Sequence, residues 1–161
     1  MPVPEFVVRL RDHVGTELLW LPGVTGVVLD GADRVLLVKR SDNGRWALVS
    51  GILEPGEEPA RALVREIAEE TRVDAEVLAL AYVDVSRPVV YPNGDRAQYL
   101  DLTFLCRHVA GEAAVGDEES TAVGWFALED LPEPLNPSSR ERLAAALAYR
   151  SDPAAGARFE R

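Results

Sequence analysis

The stretch that decides the fold runs Gly51-Ile52-Leu53-Glu54-Pro55-Gly56-Glu57 and resumes as Arg65-Glu66-Ile67-Ala68-Glu69-Glu70. It places a glycine-rich loop just before a short amphipathic segment that ends in glutamates. Neighbouring glutamates repel one another, and a hard divalent cation such as Mg²⁺ is a common partner of such carboxylates. Two interpretations follow, namely a metal-dependent phosphate-binding site or a solvated acidic face.

The glutamate-bearing segment is predicted to be an α-helix that begins near Pro59, because proline suits the first turn. At about 100° per residue, Glu66, Glu69 and Glu70 fall on an arc separate from the apolar stripe. The stripe that is expected to be buried consists of Ala60, Leu63, Val64 and Ile67. Like charges three and four residues apart weaken a helix, and Arg65 can relieve part of this by pairing with Glu69.

The spacing of the whole stretch closely resembles the signature of the Nudix hydrolase family. That signature reads glycine, five residues, glutamate, seven residues, Arg-Glu-apolar-any-Glu-Glu, any, glycine, apolar. Its positions are occupied here by Gly51, Glu57, Arg65–Glu70 and Val73. Arg72 stands where the family has glycine, so either it adopts a left-handed conformation at roughly 1–2 kcal/mol or the helix ends differently. Ser50 replaces a glycine that family members often carry.

The resemblance implies a Mg²⁺-dependent pyrophosphohydrolase, with Mn²⁺ as a substitute, that cleaves a nucleoside diphosphate linked to another group by water attack on phosphorus. It implies catalytic roles for Glu66, Glu69 and Glu70, with Arg65 orienting Glu69. The metal ligands that it implies are Glu66, Glu69, Glu70, Glu57 and the backbone carbonyl of Ser50.

A second acidic segment, Asp117-Glu118-Glu119, precedes Trp125-Phe126. Some family members carry a metal-binding or general-base glutamate about six residues ahead of an aromatic residue in this region. By that offset Glu119 is the first candidate for a catalytic role and Glu118 the second. A solvated acidic loop is the alternative interpretation.

Substrate contacts are less determined than the metal site. Arginines can meet phosphates, aromatic side chains can stack on a base, and the glycine loop lets a diphosphate approach. For Trp46 and Tyr99, core packing is at least as good an explanation. The candidates for substrate binding are Gly51, Arg40, Arg45, Trp46, Tyr91 and Arg87, with Arg96 and Tyr99 as further possibilities.

The order of predicted elements is that of an α/β protein with a mixed β-sheet, and the resemblance sharpens this to the Nudix α/β/α sandwich. We expect an N-terminal helical extension at residues 1–21, a Nudix domain at 22–150 and a flexible tail at 151–161. The predicted helices are Val3–Val14, with Phe6, Val7, Leu10 and Val14 buried, the segment after Pro59, and one capped by Ser138 and Glu141. The predicted strands are Val24–Leu29, Val35–Val38, Ala75–Val85, Tyr99–Arg107 and Ala122–Phe126.

Composition limits the remaining function classes. The net charge of −10 over 161 residues argues against a surface for nucleic-acid polymers. No apolar run reaches the length of a membrane span, no signal peptide is evident, and the single cysteine, Cys106, is expected in the core. We therefore expect a cytoplasmic protein, and the apolar run Leu18–Leu21 suggests either core packing or a homodimer contact.

Two other functions compete with the hydrolase. A nucleotide-sensing domain of the same fold would tend to lose the signature carboxylates, which this chain keeps. An isomerase acting on an isoprenoid diphosphate would want a cysteine beside the substrate, and Cys106 lies in the apolar run Leu102–Cys106. Both alternatives are therefore less favoured.

Overall fold

The computed structural model describes residues 3–160. Its helices are α1 (Glu5–Val14), α2 (Pro59–Thr71) and α3 (Pro137–Ser151), followed by a 3₁₀ turn at Pro153–Ala155. Its strands are β1 (Leu18–Leu29), β2 (Arg34–Arg40), β3 (Trp46–Ala47), β4 (Val49–Ile52), β5 (Asp74–Val85), β6 (Val89–Val90), β7 (Arg96–Ala110), β8 (Ser120–Ala127) and β9 (Arg158–Phe159).

Within residues 3–160 the nine strands form one mixed sheet, with the order β3-β2-β1-β7-β5-β9 along its main path. The central strand β1 runs parallel to β7 and antiparallel to β2 and β4. In the β1–β4 pair, Val24 faces Gly51 and Thr25 faces Ser50. The glycine-rich loop therefore leaves the sheet from a strand that is hydrogen-bonded to its centre.

Alternation along β1 sends side chains to two separate cores. Val24 and Val28 pack under α2, whereas Val27 and Leu29 lie in the core that contains Leu143 of α3. This is the expected result of a strand whose successive side chains point to opposite faces. The mixed sheet thus lies between helices, and the predicted α/β/α sandwich is confirmed.

A buried ionic network joins α3 to its face of the sheet. Arg142 of α3 donates from Nε and Nη2 to the two carboxylate oxygens of Asp84, each at 3.1 Å. Its Nη1 lies 3.3 Å from Asp101 Oδ2, and Asp101 also accepts hydrogen bonds from Thr25 at 2.9 Å and Thr103 at 3.1 Å. Every oxygen of the buried Asp101 carboxylate therefore has a partner.

Two helices differ from their predicted form. In α1, Val7 is buried as predicted and Phe6 is partly buried, but Leu10 and Val14 are exposed, because the helix packs on Leu21 and Ala97 through one narrow edge. In α3 the predicted Ser138–Glu141 capping box is wrong. The cap is Asn136, whose side chain accepts the Ser138 N–H at 3.1 Å, and Glu141 instead accepts from the Tyr82 hydroxyl.

The ends of the chain contain more regular structure than expected. Strand β1 begins at Leu18, before the boundary drawn at residue 22, with Leu18 and Trp20 exposed and Leu21 buried. The segment predicted as a flexible tail contains the 3₁₀ turn and β9, which pairs with Tyr82 and Val83 of β5. The domain boundaries stay predictions.

Cys106 is buried in the core under α2, as expected, and burial raises the pKa of its thiol to about 12. Among residues 3–160, none of the helices is long and apolar enough to cross a membrane.

Candidate metal and phosphate site

Gly51 on β4 packs directly against the Glu66 side chain of helix α2. A Cβ at Gly51 would lie 2.5 Å from Cδ and 2.6 Å from Cγ of Glu66, distances that real Cβ atoms essentially never show. Only glycine leaves room for the Glu66 side chain against the strand. The first glycine of the motif and its first helical glutamate thus form one packing unit.

The burial of α2 differs from the simple helical-wheel prediction. Glu66 is 0% exposed and Glu70 is 5% exposed, so both belong to the buried face together with Leu63 and Ile67. Ala60 and Val64, predicted to be buried, are only partly so. Glu66 and Glu70 are buried although they lie outside the predicted apolar stripe, because Gly51 of β4 packs against Glu66 and a loop covers the end of the helix at Glu70.

Arg65 links the other carboxylates. Its Nε donates to Glu57 Oε1 at 3.0 Å and its Nη2 to Glu57 Oε2 at 3.2 Å. Its Nη1 donates to Glu69 Oε2 at 3.2 Å, the contact that the sequence predicts, and lies 3.0 Å from Glu66 Oε1. Arg65 thus connects the loop glutamate Glu57 to two glutamates of α2, and holds Glu69 although that side chain is 52% exposed.

Glu66 stands apart because its charge is poorly compensated. Within the described residues neither of its carboxylate oxygens has a hydrogen-bond partner, since the Arg65 contact is an ion pair without hydrogen-bond alignment. Burial raises the pKa of Glu66 to about 7, with Arg65 opposing the rise. Burial, and then the charge of Glu66, raises the pKa of Glu70 to about 8. Arg65 at one oxygen of Glu66, and Arg40 acting on Glu70, therefore offset the cost of burying these two carboxylates only in part.

Carboxylate oxygens are the ligands that a hard cation prefers, but these side chains are not arranged as a complete coordination sphere. In the part of the chain from residue 3 to residue 160, no three His, Cys, Asp or Glu side chains converge closely enough to hold a metal ion. The orphaned oxygens of Glu66 nevertheless fit Mg²⁺, which prefers oxygen ligands and uses few protein carboxylates. Ser50 lies beside Gly51 on β4, where its backbone belongs to the same edge of the site.

The second acidic segment lies on a loop that covers the end of α2. We call residues 111–119 the acidic loop. Gly116 N–H donates to the Glu70 carbonyl at 2.9 Å, and Ala114 N–H donates to the Thr71 carbonyl at 3.0 Å. The charge of Asp117 contributes to the raised pKa of Glu70, which places Asp117 in the electrostatic neighbourhood of the site.

The structure gives Glu118 and Glu119 a less direct relation to Glu70. Glu119 is partly buried, its N–H donates to Asp117 Oδ1 at 3.0 Å, and its carbonyl accepts from Ser41 N–H at 2.7 Å. Glu118 is exposed. Asp117, which the motif offset passed over, is thus the acidic residue whose influence on Glu70 is resolved; no local sequence pattern distinguished it from its neighbours.

Arg72 ends α2 in the left-handed conformation, with φ 60° and ψ 18°. This is the first of the two alternatives that the sequence left open, and it costs roughly 1–2 kcal/mol for a non-glycine residue. The Arg72 N–H donates to the Ala68 carbonyl at 3.1 Å, so the usual helix-ending bond is kept. Its Nη2 donates to the Gly116 carbonyl at 2.7 Å.

Of the substrate-binding candidates, Arg40 lies within electrostatic reach of Glu70. Arg40 is partly buried and paired with Asp42 at 2.7 Å, and its charge lowers the pKa of Glu70. Asp42 chiefly, and Tyr91 to a smaller extent, raise the pKa of Arg40. The hydroxyls of Tyr91 and Tyr99 are 2.6 Å apart. Arg40, Tyr91 and Tyr99 are therefore the members that the fold brings together.

The other candidates have different surroundings. Trp46 packs edge-on against Phe126, with ring centroids 4.8 Å apart, at the edge of the α3-side core. Arg45 and Arg87 are exposed, as is Arg96, whose guanidinium pairs with Glu17. Core packing therefore accounts for the position of Trp46.

An open cleft of about 750 Å³ adjoins the Arg65 cluster. Glu57, Arg65 and Glu69 form one wall, and residues of the N-terminal segment, including Val3 and Val8, form the other. Glu57 and Glu69 are thus reachable from solvent along one side of α1, whereas the buried Glu66 and Glu70 do not line this cleft.

Comparisons with known proteins match most of the chain. A family model described as NUDIX domain matches residues 20–146. A MutT-like protein of Streptomyces ambofaciens is 35% identical over 112 residues, covering 68% of this chain and 66% of that protein. An 8-oxo-dGDP phosphatase of Mus musculus is 33% identical over 138 residues, covering 82% of this chain and 38% of that protein.

Solved structures match over most of the chain as well. A MutT NUDIX hydrolase from Burkholderia pseudomallei superposes with a TM-score of 0.66 at 30% identity, covering 79% of this chain and 98% of that one. The chain spans less than two thirds of the length of each of the two relatives compared by sequence.

Proposed function

The chain belongs to the Nudix family, and on that premise we propose that it is a Mg²⁺-dependent hydrolase of phosphorus anhydrides. Its substrate is a nucleoside diphosphate linked to a further group. The observation that carries the proposal is the fully buried Glu66 carboxylate, which lies against Gly51 and near Glu70. Within residues 3–160 neither of its oxygens accepts a hydrogen bond, and Arg65 meets only one of them as an ion pair. Such a group is costly unless a cation compensates it.

The residues that would hold the metal are Glu66 and Glu70, with Glu69, Glu57 and the Ser50 carbonyl completing the set. When bound, Mg²⁺ would neutralise the diphosphate charge and make a nearby water more acidic. Mn²⁺ offers a similar preference for oxygen ligands and is expected to substitute. Because Arg65 now occupies Glu57 and Glu69, those two carboxylates join only if they exchange contacts with Arg65.

The chemical step is hydrolysis of one phosphorus–oxygen bond. The water oxygen forms a bond to phosphorus, the bridging P–O bond breaks, and the leaving phosphate keeps the electron pair. A carboxylate of the site takes the proton from the water, for which Glu119 and Asp117 on the acidic loop are the candidates, together with Glu69. Arg65 keeps Glu69 oriented, and Arg40 is placed to meet a phosphate oxygen near Glu70.

The substrate class follows less directly. A relative is named as an 8-oxo-dGDP phosphatase, so we include oxidised nucleoside diphosphates among the candidates, beside nucleoside triphosphates and ADP-ribose. Tyr91 and Tyr99, whose hydroxyls are hydrogen-bonded to each other, offer aromatic surface near Arg40 on which a nucleobase could stack. A homodimer through the exposed Leu18 and Trp20, and a cytoplasmic location, are further proposals from the sequence.

The test is the release of hydrolysis products, separated by chromatography, from a panel of these nucleotides with and without Mg²⁺, since cleavage of ADP-ribose gives AMP and a sugar phosphate and no free phosphate. We expect Mg²⁺-dependent release from at least one compound, and a loss of about a hundredfold or more in Glu66→Gln and in Glu70→Gln, beyond what outer contacts of a metal site contribute. Glu58→Gln is the matched control, because Glu58 lies in the same loop, is exposed and makes no side-chain cap bond. Tight binding of one nucleotide without release would instead favour a sensor.

A further inference from the structure

The C-terminal end of α2 is completed by the acidic loop. The last carbonyls of a helix have no partner within it and must be satisfied elsewhere. Here the carbonyl oxygens of Glu70 and Thr71 accept hydrogen bonds from the N–H groups of Gly116 and Ala114, at 2.9 and 3.0 Å. The acidic loop is therefore attached to the same turn that carries Glu70.

Gly116 is the point of closest contact between the two. A Cβ at this position would fall inside contact distance of the Glu69 carbonyl oxygen, so the backbone of the loop lies directly on the helix end. Gly116 also accepts a hydrogen bond from Nη2 of Arg72 at 2.7 Å. Both backbone polar groups of Gly116 are thus bonded to the end of α2.

Arg72 provides the second of these bonds from a conformation that glycine would adopt without strain. Among the non-glycine residues that the structure describes, only Arg72, with φ 60°, and Asp33, with φ 57°, have a positive φ. A glycine at position 72 would keep the helix-ending backbone bond to Ala68 but would have no side chain to reach Gly116. The strained arginine therefore does something at this position that the family's glycine cannot.

The bond has a consequence for the carboxylates, because Asp117 directly follows Gly116. At its far end the acidic loop is held by the bond from Ser41 N–H to the Glu119 carbonyl at 2.7 Å. Asp117, Glu118 and Glu119 therefore lie between two anchored points, of which one is Gly116.

We propose that Arg72 is a positioning residue, which through Gly116 fixes the acidic loop on the end of α2 and so sets the distance between the loop carboxylates and Glu70. This rests on the proposed function, since that distance affects turnover only if Glu70 belongs to the reacting centre. The contact itself is independent of any activity.

The test compares Arg72→Gly, Arg72→Lys and Asp33→Gly. Amide hydrogen exchange is followed over residues 112–119 in the metal-free protein, and kcat and KM are measured with Mg²⁺ on the best substrate of the panel. In Arg72→Gly we expect exchange to be about tenfold faster across that segment, since its opening is made easier. We expect kcat to fall by about tenfold to a hundredfold, with KM changed by less than about threefold.

Arg72→Lys keeps a cationic donor on a long side chain and is expected to restore part of kcat. Asp33→Gly is the matched backbone control, since it also replaces a non-glycine residue of positive φ but lies in the turn between β1 and β2. It should leave both the exchange of residues 112–119 and kcat unchanged.

Unchanged exchange in Arg72→Gly would overturn the proposal whatever the activity. Faster exchange with unchanged kcat would overturn it too, by showing that the loop position does not matter for turnover. A wild-type protein that hydrolyses none of the panel would sink the proposed function instead, and the exchange data would still decide whether Arg72 holds the loop.

Discussion

Two buried carboxylates lie on opposite sides of one sheet and differ in their hydrogen-bond partners. Asp101, on the α3 face, accepts hydrogen bonds from Thr25 and Thr103 and faces Arg142. Glu66, on the α2 face, has no hydrogen-bond partner within the described residues and only a misaligned ion pair. Native structures rarely leave a buried polar group unsatisfied. The first carboxylate is explained by stability, and the second calls for a ligand.

The largest expected effect comes from removing the cation of the Asp101 network on the α3 face. Arg142→Met would leave Asp84 and Asp101 buried without their cation, and removal of one partner of a buried ion pair typically costs about 3–5 kcal/mol. The free energy of unfolding, measured by urea denaturation, should fall by that amount. Arg140→Met on the same helix removes an exposed pair with Glu133 and should change it by less than about 1 kcal/mol. Equal losses would mean that the Asp101 network is not a stabilising core.

A smaller effect is expected when the space that Gly51 leaves for the Glu66 side chain is filled. Gly51→Ala would place a Cβ 2.5 Å from the Glu66 Cδ and force that side chain to move, at about 1–3 kcal/mol and with weaker Mg²⁺ binding by calorimetry. Gly23→Ala, whose Cβ would be 3.3 Å from Asp101 Oδ2, requires only a small shift and should leave Mg²⁺ binding intact.

Gly31→Ala is the neutral reference for both, since nothing lies within 4 Å of its Cβ position. If Gly51→Ala bound Mg²⁺ as tightly as Gly31→Ala, Glu66 would not be a ligand in the arrangement proposed.

The smallest effect is a pH dependence of the metal-free protein. The folded pKa values of Glu66, about 7, and Glu70, about 8, lie above the ordinary 4.5. Between the ordinary pKa and these raised values, the folded state binds more protons than the unfolded state. The free energy of unfolding therefore falls as pH rises from about 5 to 8. We expect the melting temperature to drop by at least about 2–4 °C over that range.

Saturating Mg²⁺ should flatten this pH dependence, because the cation favours the ionised carboxylates. Glu66→Gln should flatten it in part without metal, whereas Glu58→Gln should not. A melting temperature that rises from pH 5 to pH 8 in the metal-free wild type would contradict the assigned protonation.

Some elements could be predicted because their determinants are local. The strands at Val24–Leu29 and Ala75–Val85 and the helix after Pro59 follow from short-range periodicity and proline chemistry, and all three are present. The cap of α3 was placed wrongly, because Ser138 and Glu141 match a local pattern. Pro137 occupies the first turn of that helix, which makes Asn136 the capping residue.

Other features depend on residues that are distant in the chain. The network of Thr25, Asp84, Asp101 and Arg142 comes from three strands and a helix, and no spacing in the sequence points to it. The relation of Asp117 to Glu70 likewise required the acidic loop to be placed on the end of α2. Helical periodicity alone could not show that Glu66 and Glu70 lie on the buried side.

By itself the sequence determined the family and the sandwich fold, and it selected the glycine and glutamates proposed for the site, because these depend on residue type and on spacing within one loop and one helix. Only the tertiary structure decided which of those glutamates lose their water. Desolvation is set by what packs against a side chain, here Gly51 of β4 and the acidic loop. This packing separates the buried Glu66, which accepts no hydrogen bond within residues 3–160, from the exposed Glu69, which accepts one from Arg65.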